Sequence, residues 1–518
     1  MLITQESAIR PPRGTQLDAV RRRGWKAWLW LCLGGALLPF TIFANVVPVA
    51  AWLAPVFLMR FVRTMRAAIS LPVIGLLGYL TALLVLRDSV PSPALYFFAL
   101  PAGLTMIISY GADRLLARRI SGVLGTLVFP ATDTAVNFLL GVLNQDAFAT
   151  VGASAYTQAS GLPLIQLVSV TGLWGLNFLI AWLAPVVNDL WEHGFDVRKV
   201  LRSTAVFVSF LIAVLLFGGA QLAFFPPAAA TVRVAALAPD RTLNEAVNAA
   251  FVPPRPLPSV SRTELRQQYL DPVINDLFSR TTQAARGGAK IVVWSEAAAF
   301  IFKEDEPALL QRAQSVARQE GIYLQVGLVS LLPTDRYPTI DIRAIMIDPD
   351  GVIRWDYPKA TKPLNDGNRP GPGLVPTIDT PHGRLATVIC FDADVPQLVR
   401  QAGKAGTDIL LVPSSDWKAV AEVHSRMAIF RAVENGVALV RPTRRGTSIA
   451  SDHQGRLLGY KSDYFVGADH TMIVNVPTSG VRTLYVLIGE SVGWLCVLAI
   501  PALVVVALVR RSQSRRLR

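Results

Sequence analysis

Leu385-Ala386-Thr387-Val388-Ile389-Cys390-Phe391-Asp392 reads as a buried strand that delivers a thiol to its end. Cys390 is the only cysteine between the hydrophobic segments. Cys32 and Cys496 lie in apolar runs that read as membrane helices, so Cys390 has no disulfide partner in its own region. A lone thiol in that position is a nucleophile or a small buried hydrophobe. Two other strand-like runs end in chemistry. Ile291–Trp294 leads to Glu296, and Val352–Tyr357 leads to Lys359. In layered α/β sheets, strand ends converge to form sites. A thiol needs activation before it attacks a carbonyl. A carboxylate can take its proton, and an ammonium can stabilise the oxyanion that follows. Each residue alone also fits a plainer role: a capping carboxylate, a solvated lysine, a packed cysteine.

The whole chain is too apolar for a soluble protein of its size: 52% of its 518 residues are hydrophobic, with mean hydropathy +0.41. Runs at 27–43, 46–59, 70–86, 94–111, 122–143, 162–188, 203–225 and 484–509 approach or reach the roughly 20 residues that span a bilayer. The net charge of +14 follows these runs. Arg10, Arg13, Arg21 to Arg23 and Lys26 precede the first. Arg60, Arg63 and Arg66, then Arg114, Arg118 and Arg119, then Arg198, Lys199 and Arg202 occupy alternate loops. Arg510, Arg511, Arg515, Arg516 and Arg518 close the chain. The intervening loops hold Arg87, and none between 144 and 161. Short cytoplasmic loops collect positive charge. The alternation predicts eight spans with both termini in the cytoplasm, so the basic balance is a topology signal and does not point to nucleic acid. The first run is not read as a cleavable signal peptide, because a basic arm precedes it and more spans follow.

The expected organisation is a cytoplasmic basic arm (1–26), a seven-helix transmembrane domain (27–225), an extracytoplasmic domain (226–483), a last transmembrane helix (484–509) and a cytoplasmic tail (510–518). Within 226–483, strands are expected at 232–237, 291–294, 322–329, 342–347, 352–357, 385–390, 409–412 and 437–441. Helices are expected at 262–286, 307–320, 396–405 and 419–434, with a hairpin turning at 452–455. This alternation indicates a layered α/β domain. The Pro-rich arm at 251–260 suits a lid or a tether. The five histidines, His193, His382, His424, His453 and His470, have no metal spacing and read as structural or surface residues. No metal or cofactor is expected. Asp133 and Asn137 fall inside the fifth apolar run, where polar groups either serve function or bond a neighbouring helix. The C-terminal arginines suit an anchor against anionic lipid.

Five ordered blocks carry a resemblance. They are Val293-Trp294-Ser295-Glu296-Ala297, Tyr357-Pro358-Lys359, Ile389-Cys390-Phe391-Asp392, Pro413-Ser414-Ser415-Asp416-Trp417 and His424 to Asn435. Together they resemble the nitrilase superfamily of carbon–nitrogen hydrolases over roughly 232–476. That likeness implies an αββα sandwich, with Arg and Glu of the last block buttressing the site. The membrane frame, with Gly161 to Gln166 and Thr171 to Phe178, is similar to the apolipoprotein N-acyltransferase family. This resemblance implies catalytic Glu296 (general base), Lys359 (oxyanion stabiliser) and Cys390 (nucleophile). An acyl chain would pass from a phospholipid to Cys390 as a thioester, and then to the amine of a diacylglyceryl-cysteine lipoprotein. It further implies a monomeric enzyme of the bacterial inner membrane, with the catalytic domain on the periplasmic face.

The chain departs from that family's pattern in two places. Lys359 is followed by Ala360-Thr361-Lys362-Pro363-Leu364-Asn365-Asp366-Gly367-Asn368, where an apolar–Pro–aromatic–Gly–Glu run is usual; Asp366 is a candidate for the missing glutamate, and Lys362 a second candidate lysine. The usual Tyr-Glu after the cysteine is Phe391-Asp392. These changes keep a membrane-anchored amidase, using water as second nucleophile, as the alternative. A third possibility is a non-enzymatic membrane scaffold.

Overall fold

Period-two burial in the strand leading to Cys390 sets the layering. Leu385 and Ile389 belong to an apolar core between two sheets. Ala386 and Val388 face the other way, into a second core shared with the helix Ala421–Asn435 and with membrane-helix residues such as Leu173 and Leu176. The computed structural model describes residues 13–516, apart from 121, 146–148, 252–260, 333–338, 363–367 and 463–469. The expected arm at 251–260 and Asp366 therefore lie, all but Phe251, outside the described residues.

The first sheet holds β1 (Thr231–Leu237), β2 (Ile291–Trp294), β3 (Ala299–Phe302), β4 (Tyr323–Leu332), β5 (Thr339–Ile347) and β6 (Ile353–Pro358). The second holds β7 (Thr377–Thr380), β8 (Gly383–Thr387), β9 (Ile409–Leu411), β11 (Ala438–Arg441), β13 (Thr447–Ser451) and β14 (Leu457–Ser462). β10 (Ser414–Ser415) and β12 (Thr443–Arg444) pair beside it, and β15 (Thr471–Pro477) returns to the edge of the first. The orders are β15-β1-β2-β4-β5-β6, with β3 also on β4, and β14-β13-β11-β9-β8-β7. Parallel pairs β1–β2, β2–β4, β8–β9 and β9–β11 occupy the centres. Apart from the half-buried Tyr323, the residues paired in these ladders are buried on both faces, as parallel sheets require. Helices Asp271–Arg286 and Glu306–Glu320 pack on the first sheet, and Ala421–Asn435 covers the second. The αββα sandwich expected from the sequence is the fold observed.

Among the described residues, six helices are long and apolar enough to cross a membrane: Ala67–Leu86, Ala94–Ile120, Gly122–Leu143, Leu173–Glu192, Val197–Phe224 and Ser491–Gln513. Two further helices, Arg13–Leu37 and Pro48–Thr64, stand where the first two spans were expected. The first ends at Leu37, short of the expected 43, because Pro39 sits in a 3-10 turn at 38–40. The expected span at 162–188 is broken. Short helices Leu162–Ile165 and Val168–Thr171 precede Gly172, whose φ is +65°. A Cβ there would stand 2.6 Å from the Tyr485 ring, so glycine is required for conformation and for space.

Polar ties bind the sandwich to this bundle. Glu434 accepts the Leu173 amide at 2.8 Å, and Arg431 donates to the Tyr156 hydroxyl at 2.9 Å. Arg426 donates to the Phe43 carbonyl. Gln454 donates to Gln221 and Phe225 carbonyls at 3.0 and 2.7 Å. The Arg and Glu expected to buttress the site thus fasten the domain to the helices. Arg431 and Glu434 pair at 2.9 Å and are fully buried.

Candidate active site

Glu296 follows β2 on a turn fixed at Ser295, whose amide donates to Leu237 at 2.8 Å. Ala297 then takes φ +50°. Neighbouring β4 passes close: a Cβ on Gly327 would lie 1.9 Å from the Ser295 carbonyl oxygen. Lys359 follows β6, its amide donating to Ile342 at 2.9 Å. The two side chains meet: Lys359 Nζ donates to Glu296 Oε1 at 2.9 Å, and both are buried. Lys362, the other lysine considered, is only half-buried.

Cys390 is not the last residue of a strand, as expected. β8 ends at Thr387, and Cys390 opens a 3-10 turn, Cys390–Asp394, with φ +49°. Its amide donates to Pro413 at 2.9 Å, and its thiol donates to the Ser415 carbonyl at 3.4 Å. Non-glycine residues in the left-handed region are uncommon and gather where structure is over-determined for function. Burial pushes the Cys390 thiol well up, the charge of Glu296 adds to this, and Lys359 opposes it. The resting sulfur is therefore a neutral thiol. It needs a proton acceptor at the moment of attack, and the Glu296 carboxylate is within electrostatic reach.

Asp392, read from the sequence as a departure, is central. It is buried and accepts the Ile389 amide at 3.1 Å, the Tyr357 hydroxyl at 2.9 Å, and the Thr361 amide and hydroxyl both at 2.8 Å. One carboxylate thus joins the nucleophile turn to the strand end that carries Lys359. Asp416 does the same on the other side. It pairs with Arg441 at 2.9 Å and His424 at 2.9 Å, and His424 reaches Asp394 at 3.3 Å. His424 is structural, as expected. Burial pushes Asp416 up, but Arg441 and His424 outweigh it and hold the carboxyl down to about 2.

Sequence reasoning missed Arg444 and the helix Arg241–Phe251. Arg444 Nε donates to Ser415 Oγ at 2.9 Å and Nη1 to Asn244 Oδ1 at 3.0 Å, over the Phe300 ring. The signal was available: Leu243, Val247, Ala250 and Phe251 repeat at helical spacing.

Two cavities lie within the helical bundle and at its junction with the sandwich, and Glu296, Lys359 and Cys390 line neither. A cleft of about 890 Å³ lies between helix ends, at 39–45 and 84–88, and the sandwich, at Arg241, Asn244, Trp417 and Arg445. An apolar cavity of about 280 Å³ lies within the bundle. Ile42 and Phe43 line both. Asp133 and Asn137 line the apolar cavity, bonded to each other at 3.3 Å; Asn177 of the next helix reaches Asp133 at 3.5 Å. Bonding to a neighbouring helix accounts for Asp133, whereas Asn137 bonds back to Asp133 within its own helix.

Residues 241–491 match the carbon–nitrogen hydrolase family. Residues 241–491 thus carry a domain of that family, also called the nitrilase superfamily, and the chain as a whole is similar to apolipoprotein N-acyltransferases. It is 26% identical to an apolipoprotein N-acyltransferase of Geobacter metallireducens, over 97% of this chain and 98% of that one. A second apolipoprotein N-acyltransferase, of Bradyrhizobium diazoefficiens, is 25% identical over 70% of each chain. A deaminated glutathione amidase of Yersinia enterocolitica is 26% identical over 35% of this chain and 70% of its own. Among solved structures, an amidase from Nesterenkonia sp. aligns with a TM-score of 0.37 at 20% identity, covering 49% of this chain and 94% of that one.

Proposed function

We propose that the chain is a bacterial membrane N-acyltransferase that acylates the N-terminal amine of diacylglyceryl-cysteine lipoproteins with phospholipid as donor. The carrying observation is the buried Lys359–Glu296 pair, whose charges act on the thiol of Cys390 in its left-handed turn, in a sandwich that meets membrane-helix ends across a cleft. Relatives named for this activity match over most of the chain, membrane helices included; the amidase relative matches over 35% of it.

Glu296 takes the thiol proton as sulfur attacks an ester carbonyl of the lipid. Lys359 stabilises the oxyanion. On collapse the C–O bond breaks, and the glycerol oxygen leaves with the proton held by Glu296. The lipoprotein amine then attacks the thioester, Glu296 takes its proton, and the released thiolate recovers it. The catalytic domain is assigned to 226–483, between a seven-helix bundle and a last span. The arginine pattern supports a cell (inner) membrane location with cytoplasmic termini and a periplasmic catalytic face, and the chain is assigned as a monomer.

Mass spectrometry after incubation with phospholipid tests the reading. A hydroxylamine-sensitive acyl mass on the Cys390 peptide, absent in Cys390→Ala, is expected. Intact phospholipid and an unmodified cysteine would shift the assignment to amide hydrolysis.

A further inference from the structure

Arg444 is a buried arginine without a carboxylate partner. Among the described residues it makes no ion pair. Its Nε donates to Ser415 Oγ at 2.9 Å, and its Nη1 donates to Asn244 Oδ1 at 3.0 Å and Asn248 Oδ1 at 3.5 Å. A buried charge is costly unless it is paired. The anionic groups that act on this one are Glu296 and, more weakly, Cys390 when ionised, both members of the candidate site. Burial brings the guanidinium down to about 10, with Glu296 opposing this and Arg445 adding to it, so Arg444 stays charged at neutral pH.

The residue this charge holds is the one that holds the nucleophile. The Ser415 carbonyl accepts the Cys390 thiol at 3.4 Å. Little backbone fixes Ser415 in return. Its ladder with Thr443–Arg444 is two residues long, followed by one further bond, the Asp416 amide to the Arg444 carbonyl at 3.1 Å. The side-chain bond from Arg444 is charge-assisted, and so stronger than one between neutral groups. Asn244 and Asn248 stand one helical turn apart on the helix Arg241–Phe251, and both accept from the far end of the same guanidinium. The Phe300 ring, on the strand that follows the Glu296 turn, lies 5.1 Å from the guanidinium carbon. The rigid fork of arginine spans these elements at once.

We propose that Arg444 is a positioning residue of the thioester reaction: it clamps Ser415, and through the Ser415 carbonyl it holds the Cys390 sulfur in line for attack, with the helix Arg241–Phe251 as its anchor. This inference rests on the reading of Cys390 as nucleophile and names the residues that aim it.

The test uses the purified full-length protein and a p-nitrophenyl ester. Sulfur takes the acyl group, Glu296 takes the thiol proton and nitrophenolate leaves. The burst counts acylated Cys390, a step common to acyl transfer and amide hydrolysis. Ser415→Ala removes the hydroxyl and keeps the backbone carbonyl, while Arg444→Gln removes the charged fork. Each is expected to slow the burst about tenfold, the scale of one charge-assisted hydrogen bond. Both break the same link, so the double variant is expected to be no slower than Arg444→Gln alone. Ser415→Thr, which restores the hydroxyl, is expected to recover most of the rate, a rescue that a merely structural role does not predict. A wild-type burst in Ser415→Ala, or single effects that multiply in the double variant, would overturn the proposal. Where Arg444→Gln fails to fold, Ser415→Ala and Ser415→Thr decide alone. The expected bursts, with phospholipid never acylating Cys390, would remove the acyl-transfer reading and leave the positioning role standing.

Discussion

The carboxylate of Asp392 accepts both the amide and the hydroxyl of Thr361 at 2.8 Å. With Tyr357 and Ile389 also donating to it, the position of Lys359 relative to Cys390 is set by one side chain. Asn in its place turns one acceptor into a donor, facing N–H and O–H groups that need acceptors. Asp392→Asn is expected to slow thioester formation about 10²-fold, the cost of misplacing groups by around 1 Å. Single-turnover acylation of purified protein measures this. An unchanged rate would remove Asp392 from the positioning role.

Lys359→Met leaves the Glu296 carboxylate buried without its 2.9 Å partner. Removing one member of a buried pair costs about 3–5 kcal/mol. A lower thermal midpoint is expected together with acylation slower by about 10²–10³-fold, the range for losing an oxyanion donor. The double variant Lys359→Met/Glu296→Gln is expected to regain midpoint but not activity, which separates the stability role from the chemical one.

Gly327→Ala tests the close approach of β4 to the turn bearing Glu296. The added methyl meets the Ser295 carbonyl at 1.9 Å, so backbone has to move. Acylation is expected to fall while lipid binding persists. Wild-type kcat would show that the turn tolerates the shift.

Asp416 sets an acid limit. Its carboxyl sits near 2 instead of 3.8, so its contribution to stability is complete above about pH 4 and disappears as pH falls toward 2. The difference is worth about 2 kcal/mol. His424 has the opposite sense. Burial lowers it, but Asp394 and Asp416 outweigh burial and raise it, with Arg441 opposing. Its contribution is present below pH 6.5 and is lost as pH rises through its folded value. Thermal midpoints of Asp416→Asn are expected to be lower at neutral pH and flatter between pH 4 and 2 than those of wild type.

Much of this arrangement was legible in the chain. Ile291–Trp294, Ile409–Leu411 and Ala438–Arg441 are short apolar runs bounded by turn signals, so the central strands could be read directly. Glu296, Lys359 and Cys390 stood out because each follows such a run. The rest depends on distances the sequence does not encode. Cys390 lies in a left-handed turn past its strand, because Asp392 caps that turn through the Ile389 amide. β3 and β7 have four residues each and too little alternation to register. The break at Gly172 was hidden in a continuous apolar run, since hydropathy does not report φ. Arg444 read as one more basic residue until Ser415 and Asn244 were placed around it.

The ties from Glu434 to Leu173 and from Arg426 to Phe43 have a consequence for selection of substrate. They fix the altitude of the nucleophile above the helix ends. Under the proposed acyl-transfer function, a sulfur tied in this way works as a depth gauge: it samples bonds that float at one level of the bilayer surface. Lipid esters reside at such a level, and soluble esters do not. Discrimination is then exerted by where a bond sits, before any pocket has inspected what it is attached to.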